Sequence, residues 1–230
     1  LFPYTTLFRS VLAPPRLPRV LVVHPDDSAA ESTYGYTGPD PALRLFAQIY
    51  RTAGFDAMSE SAWGSLRERE GASGAERWGL VVFDRVSDHE LPPVPSRTVG
   101  GVPRLVEASE PPERGATLRS WNRQHPVMEN VELDAVTYVG FGAYDLPAGS
   151  TTLATGPTGP VMGIVTSGGN RHVLVGFAID DRYSNWTYDP SFVVFMNNAW
   201  DYLVSGPGGE GAAMAVVQPG EPVTVPVAAG

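Results

Sequence analysis

Two acidic sequences each follow a run of apolar residues that predicts a buried strand. Asp84-Arg85 follows WGLVVF at 78–83, and Asp180-Asp181 follows HVLVGFAI at 172–179. In an open parallel sheet, ligands bind in the crevice outside the carboxyl ends of the strands, so the two loops could converge on a cation or a basic partner. In the alternative interpretation each loop is solvated and its Asp–Arg pair contributes little. The candidate ligand- or partner-binding residues are Asp84, Arg85, Asp180, Asp181, Ser184 and Asn185.

The sequence HPDD at 24–27 is a candidate metal site, because it directly follows the apolar run RVLVV. Imidazole and carboxylate both bind zinc, and a third protein ligand would leave one position for water. HPDD resembles the motif of LmbE-like zinc deacetylases, which implies a zinc-dependent deacetylase as an alternative function. That family continues with Glu where this chain has Ser28, and the plainer interpretation is a polar turn with capping side chains. The residues of this alternative are His24, Asp26 and Asp27.

The chain has no cysteine, which excludes a thiolate nucleophile, a disulfide and a zinc–thiolate site in these residues. A serine nucleophile on an α/β-hydrolase-type elbow would lie in a Gly-x-Ser-x-Gly turn, and that pattern does not occur. We therefore assign no catalytic residue and no cofactor, and we favour a domain without enzymatic activity.

Charge and hydropathy exclude two classes of partner. The formal net charge is −9 and the basic residues form no stripe, so we expect no nucleic-acid binding. No apolar run approaches the length of about 18 residues that a membrane span requires. We therefore expect this segment to be soluble and not to cross a membrane itself.

The apolar patterns predict a strand, a helix and a strand in succession, with polar residues after each strand. This order is typical of a three-layer, doubly wound α/β sheet of the flavodoxin-like kind. Pro and Gly bound the first helix, and a Gly-Gly-Asn turn predicts an added β-hairpin. The last helix has its apolar residues at helical spacing. The predicted elements are strands at 19–23, 78–83, 98–105, 136–141 and 151–154, a hairpin of 161–167 with 171–179, and helices at 41–54 and 192–203.

The two ends of the chain differ from the segment between them. Residues 1–10 resemble the translation of a sequencing-library adapter and are left out of the fold. Proline-rich and glycine-rich linkers are predicted at 11–18 and 205–212. The α/β domain is predicted at 19–204, and 213–230 has the pattern of the first part of a small β domain that continues beyond this sequence.

A series of motifs from Trp121 onward resembles the C-terminal region of BatA-type bacterial membrane proteins. The series is His-Pro-Val at 125–127, Gly-Phe-Ala-Ile at 176–179, Ser-Asn-Trp at 184–186, and FVVFMNNAWDYL at 192–203. In that family a membrane anchor and a von Willebrand factor A domain precede a class I glutamine-amidotransferase-like α/β domain. The resemblance covers most of 20–227.

The resemblance implies a non-catalytic scaffold or interaction module of a membrane-anchored von Willebrand factor A protein. It also implies partners among similar membrane proteins and MoxR-type AAA ATPases, and a location on the extracytoplasmic side in preference to the cytoplasmic one. A third possibility, from the residues alone, is a module that binds a small ligand at the strand-end loops.

Overall fold

Eight strands pair into one mixed sheet in the computed structural model, which describes residues 17–26, 38–49 and 52–204. The strands of the described residues are β1 (Arg19–His24), β2 (Gly54–Ser59), β3 (Leu80–Asp84), β4 (Ser96–Val99), β5 (Glu107–Ala108), β6 (Ala116–Thr117), β7 (Ser120–Trp121), β8 (Thr137–Tyr138), β9 (Tyr144–Asp145), β10 (Thr151–Thr155), β11 (Pro160–Ser167) and β12 (Asn170–Val175). The strand order in the large sheet is β2-β1-β3-β4-β12-β11-β10-β7. The first five of these are parallel, and the last three extend the sheet in antiparallel fashion. Two further pairs, β5 with β9 and β6 with β8, form small separate ribbons.

Three helices cover the two faces of the sheet: α1 (Pro41–Ile49), α2 (Glu60–Glu70) and α3 (Pro190–Val204). Val20 and Val22 of β1 belong to the same core cluster as residues of α1 and α3. The alternate residues Leu21 and Val23 belong to a second cluster, on the α2 side. Successive side chains of a strand point to opposite faces, so β1 is buried on both sides. The expected three-layer arrangement is confirmed.

The central strands β1 and β3 have the apolar sequence pattern from which they are predicted. Strands β1 and β3 carry the unbroken apolar runs VLVV and LVVF, and Val20 pairs with Leu80. Parallel strands between two helical layers have such runs because neither face meets water. The strand predictions at 19–23 and 78–83 are confirmed within two residues at each end.

The prediction of one helix over 41–54 is wrong in its second part. Gly54 begins strand β2, and the segment after it forms helix α2, which was not predicted. Strand β2 lies at the sheet edge and is only partly buried, and α2 buries only Trp63 and Leu66. Neither element therefore has the long apolar pattern that identifies a strand or a helix.

Two predicted strands end earlier than expected, and each ends directly before a glycine. Strand β4 stops at Val99, before Gly100 with a φ of 69°, so the predicted strand at 98–105 is misplaced. Strand β12 stops at Val175, not at Ile179. A Cβ on the next residue, Gly176, would lie 2.0 Å from the Phe141 ring. Only glycine therefore fits at the position where the chain leaves the sheet.

The hairpin and the last helix are confirmed. Strands β11 and β12 pair in antiparallel register, with Gly168 and Gly169 at positive φ in the turn. The short strands expected at 136–141 and 151–154 occur as β8 and β10. Helix α3 buries the four residues whose spacing predicts it, which are Phe192, Met196, Ala199 and Leu203.

Several predicted regions lie outside the described residues, at 1–16 and 205–230. They are the adapter, most of the first linker, the second linker and the β domain.

In the described part of the chain, none of the helices combines the length and the apolar character that crossing a membrane requires.

Candidate ligand pocket at the strand ends

A cavity of about 240 Å³ lies at the carboxyl ends of β3 and β12, beside the first turn of α1. Residues 38–42 form one wall and Arg85, directly after β3, forms another. The connection from β12 to α3 completes the lining with residues 179–181 and 187–188. The two acidic loops identified in the sequence thus meet, although β4 separates their strands in the sheet.

Asp84 is not itself among the residues that line the pocket, but its carboxylate binds two residues that are, Arg85 and Asp40. The Asp84 side chain is 1% exposed and it binds the neighbouring Arg85 through two bonds of 3.1 Å, Nε to Oδ1 and Nη2 to Oδ2. Its Oδ2 also accepts a 2.7 Å bond from the backbone N–H of Asp40. A buried carboxylate with three donors is strongly held in place.

The backbone of Arg85 has a left-handed φ of 55°. A non-glycine residue in this region is uncommon, and such strain is found preferentially at functional sites. The Arg85 N–H donates to Val99 O at 2.7 Å, which ties the turn to the end of β4. The guanidinium is thereby folded back onto Asp84 at the pocket wall.

The Asp180 carboxylate forms a salt bridge with Arg182. Its Oδ1 accepts from the Arg182 backbone N–H at 2.9 Å and from Nε at 3.0 Å, and its Oδ2 lies 3.3 Å from Nη2. Burial works to raise the pKa of Asp180, but the hydrogen bonds and charge of Arg182 outweigh it and lower the pKa. Asp180 is therefore an ionised, paired carboxylate, and the exposed Asp181 follows it at the cavity.

Asp40 is a pocket residue that the sequence analysis missed. Its Oδ1 accepts a 2.8 Å bond from the Ala42 N–H, so it caps the N-terminus of α1, with Pro41 as the first helical residue. Burial, together with the nearby Asp84 carboxylate, raises the pKa of Asp40 to about 6. The signal that could have identified it was Asp-Pro before an amphipathic segment, since a helix that follows a parallel strand begins at the ligand edge of the sheet.

Ser184 and Asn185 are not among the residues that line the pocket. Ser184 is buried and forms a β-bridge with Tyr138. The Asn185 side chain accepts from the Thr137 N–H at 2.8 Å and donates to Ala135 O at 2.9 Å. These contacts fasten the connection between β12 and α3 to strand β8.

The HPDD sequence makes local contacts at the end of β1. His24 Nδ1 lies 2.8 Å from Pro25 O. Asp26 Oδ1 accepts from Ser61 Oγ at 2.7 Å, close to the start of α2, and Asp27 lies outside the described residues. Within the described ranges no cluster of three His, Asp or Glu side chains could hold a metal ion.

A second cavity, of about 620 Å³, lies between α2 and the loop that follows β3. Four of its charged side chains form salt bridges with one another. Arg104 binds Asp88 at 2.8 Å, and Arg67 lies 3.4 Å from Glu90. Each pair has at least one largely exposed partner, so these contacts indicate surface salt bridges more than a ligand site.

The largely parallel sheet between two helical layers, with a pocket at its strand ends, defines this chain as a domain of the class I glutamine-amidotransferase-like fold. No protein-family model matches the chain, and no curated protein matches it.

Solved structures with little sequence identity share this fold. The cytoplasmic protein STM3548 from Salmonella typhimurium is 12% identical, with 80% of this chain and 98% of that chain covered at a TM-score of 0.54. The cytoplasmic protein STM1381 from Salmonella typhimurium LT2 is 10% identical, with 80% and 96% covered at a TM-score of 0.50. A protein described as ThuA-like, from Parabacteroides merdae, is 11% identical, with 82% and 90% covered at a TM-score of 0.48. At such identities the likeness concerns the fold alone.

Proposed function

We propose that this domain binds a small ligand in the strand-end pocket without transforming it. The observation that carries the proposal is that Arg85, which is paired with the buried Asp84, lines one cavity together with Asp180 and Asp181. Concave sites with a few convergent polar groups at the strand ends of α/β sheets are where such ligands bind.

The polar groups of the pocket support binding more than catalysis. Both guanidiniums nearby already pair with a carboxylate, Arg85 with Asp84 and Arg182 with Asp180. Such mutual bonds hold the side chains in one geometry before a ligand arrives, which lowers the entropy lost on binding. Nucleophilic catalysis would need a nucleophile with an adjacent base, and the described residues of the lining include neither cysteine nor histidine.

A thermal-shift screen of small metabolites against the purified chain tests the proposal. Compounds that raise the melting temperature should lose their effect in Asp180→Asn and in Arg85→Gln. They should keep it in Asp134→Asn, a matched change of an exposed aspartate outside the pocket lining. Ligands that stabilise all four proteins equally, or a screen without any stabilising compound, would contradict the proposal.

The BatA-type resemblance supports a wider proposal, in which this binding module is part of a von Willebrand factor A scaffold. Its motifs lie at contacts that hold α3 to the rest of the domain. The His125 ring is 5.1 Å from the Tyr202 ring, and Asn198 Nδ2 donates to Glu129 O at 2.8 Å. The motifs therefore account for the packing of the domain. The partner proposal rests on the resemblance.

Sedimentation of the purified chain with a purified MoxR-type ATPase from the same organism tests the partner proposal. A stable complex, with or without ATP, would support it, and separate sedimentation under both conditions would contradict it.

Metal analysis of the purified chain tests the deacetylase alternative. One zinc per chain that is lost in His24→Ala would favour that alternative, whereas metal-free protein would remove it.

A further inference from the structure

We infer that the ligand of the strand-end pocket is a small organic cation, a primary or secondary amine whose nitrogen binds at Asp40. This inference rests on the proposed function, because it names the chemical class of the ligand of the same pocket.

Asp40 is the buried carboxylate of the lining that has no arginine partner in the described part of the chain. Asp84 neutralises Arg85 through two bonds of 3.1 Å, and Asp180 neutralises Arg182. Asp40 caps α1 through Oδ1, and in the described part of the chain it forms no salt bridge and its Oδ2 accepts no hydrogen bond. Among the described residues, no cation is therefore bonded to the buried Asp40 carboxylate.

The surroundings make this charge unfavourable in the absence of a ligand. Asp40 is only 8% exposed, and its own N–H is bonded to the Asp84 carboxylate. Burial and the negative neighbours Asp84 and Asp180 raise the pKa of Asp40 to about 6, against the opposing effects of the Ala42 N–H and Arg85. An ammonium group in the cavity would relieve this repulsion, whereas an anionic ligand would add to it.

The walls of the cavity favour an amine with an apolar skeleton over a hydrated metal ion. Pro39, Pro41 and Ile179 line it, and Tyr188 at its rim is 74% exposed and offers an aromatic face. Alkyl groups gain from contact with these side chains, and an ammonium is attracted to an aromatic face. The volume of about 240 Å³ restricts the ligand to a small molecule.

Titration calorimetry on the purified chain tests the inference with a panel of small alkylamines and arylalkylamines. Each amine is paired with the alcohol and the carboxylate of the same skeleton, so that only the charge of the head group changes. We expect amines alone to bind. Because the binding form is the one with ionised Asp40, the affinity should be about tenfold weaker at pH 5 than at pH 7. Binding should also release protons, which is measured as a dependence of the heat on the buffer.

The chain contains a matched control for Asp40. Asp189 precedes Pro190 and caps α3 in the same way, with its Oδ1 accepting the Ser191 N–H at 2.8 Å, but it does not line the cavity. Asparagine is as good a cap as aspartate, so both variants should fold. Asp40→Asn should abolish amine binding and its pH dependence, and Asp189→Asn should retain both.

The outcomes separate this inference from the proposed function. A neutral or anionic ligand that is lost in Asp180→Asn would overturn the amine and leave a ligand-binding pocket. Amine binding that survives Asp40→Asn would also overturn the inference. If no amine binds while the metabolite screen finds other ligands of the pocket, the inference alone fails, and if neither experiment finds a ligand, both fail.

Discussion

The backbone N–H of Asp40 donates a 2.7 Å hydrogen bond to the buried carboxylate of Asp84. This bond joins the first turn of α1 to the end of β3, although the two residues are 44 positions apart. Because Asp84 also binds Arg85, one carboxylate sets the position of the helix cap and of the guanidinium together. The pocket is therefore a single unit in which a change at Asp84 affects two walls.

Replacing Asp84 by asparagine should strongly destabilise the domain. The Arg85 side chain, only 15% exposed, would lose its partner and leave a largely buried charge unpaired. Removing one partner of a buried ion pair costs roughly 3–5 kcal/mol, and urea denaturation should show a loss of at least about 2 kcal/mol. Asp88→Asn is the matched control, because its bond to Arg104 is exposed at both ends, so we expect a much smaller loss of stability. Equal effects of the two substitutions would contradict the assigned role of Asp84.

Replacing Asp40 by asparagine should stabilise the domain at neutral pH. The folded-state pKa of about 6 lies above the ordinary value of 3.8, so folding is opposed wherever Asp40 is ionised. The unfavourable contribution grows as pH rises from about 4 to about 6 and is then constant. The substituted amide carries no charge, so we expect a gain of about 1–3 kcal/mol at pH 7.5. No gain should occur at a pH of about 3.5 or below, where Asp40 is largely protonated in both states.

Urea denaturation of wild type, Asp40→Asn and Asp189→Asn at both pH values measures this effect. Asp189→Asn should show no comparable gain at either pH. A loss of stability in Asp40→Asn at pH 7.5, with the helix content unchanged, would mean that the Asp40 carboxylate stabilises the fold instead of straining it.

The buried imidazole of His172 should make the domain sensitive to acid. Burial lowers the pKa of His172 to about 4, and its Nδ1 lies 2.8 Å from Ser96 Oγ. Since the unfolded state takes up the proton near pH 6.5, the stability from this group is present above that pH and is lost as pH falls towards 4. The loss is on the order of 2–3 kcal/mol between pH 7.5 and pH 4.5. His89, whose pKa is also lowered to about 4 by burial, should add a similar loss, and Asp40 should oppose both.

The variant His172→Asn isolates one of these contributions, because asparagine can still bond Ser96. Its free energy of unfolding should fall less between pH 7.5 and pH 4.5 than that of the wild type. If the two proteins lose the same amount over this range, the pKa of His172 in the folded state is not lowered as inferred.

The adjacent residues Asn197 and Asn198 should differ sharply in their contribution to stability. Asn198 Nδ2 donates to Glu129 O at 2.8 Å and holds α3 to the turn at 126–128. Asn197 is exposed and its Nδ2 donates to Asp201 Oδ2, one helical turn away, at 3.4 Å. Both alanine variants gain the same helix propensity, so Asn198→Ala should be less stable than Asn197→Ala by about 1–2 kcal/mol. Thermal or urea unfolding of the pair measures this difference, and equal stabilities would exclude an energetic role for the Glu129 bond.

Local residue patterns were sufficient to predict the central strands, the β11–β12 hairpin, helix α3 and the three-layer class. Strands buried on both faces show unbroken apolar runs, and a helix with one buried side shows a 3.6-residue period. The same approach missed β2 and α2, because an edge strand and a mostly exposed helix bury too few side chains to leave such a pattern.

For the candidate site, the residue order alone establishes that Asp84-Arg85 and Asp180-Asp181 follow apolar runs and would lie at the ligand edge of a sheet. The folded chain is needed to show that these two loops share one cavity with Asp40, and that Ser184 and Asn185 are not among its lining residues. The physical reason is close packing at long sequence separation. Gly100 has a φ of 69°, and a Cβ there would lie 2.8 Å from Ala178, so the end of β4 and the segment after β12 meet in a way that no local pattern encodes.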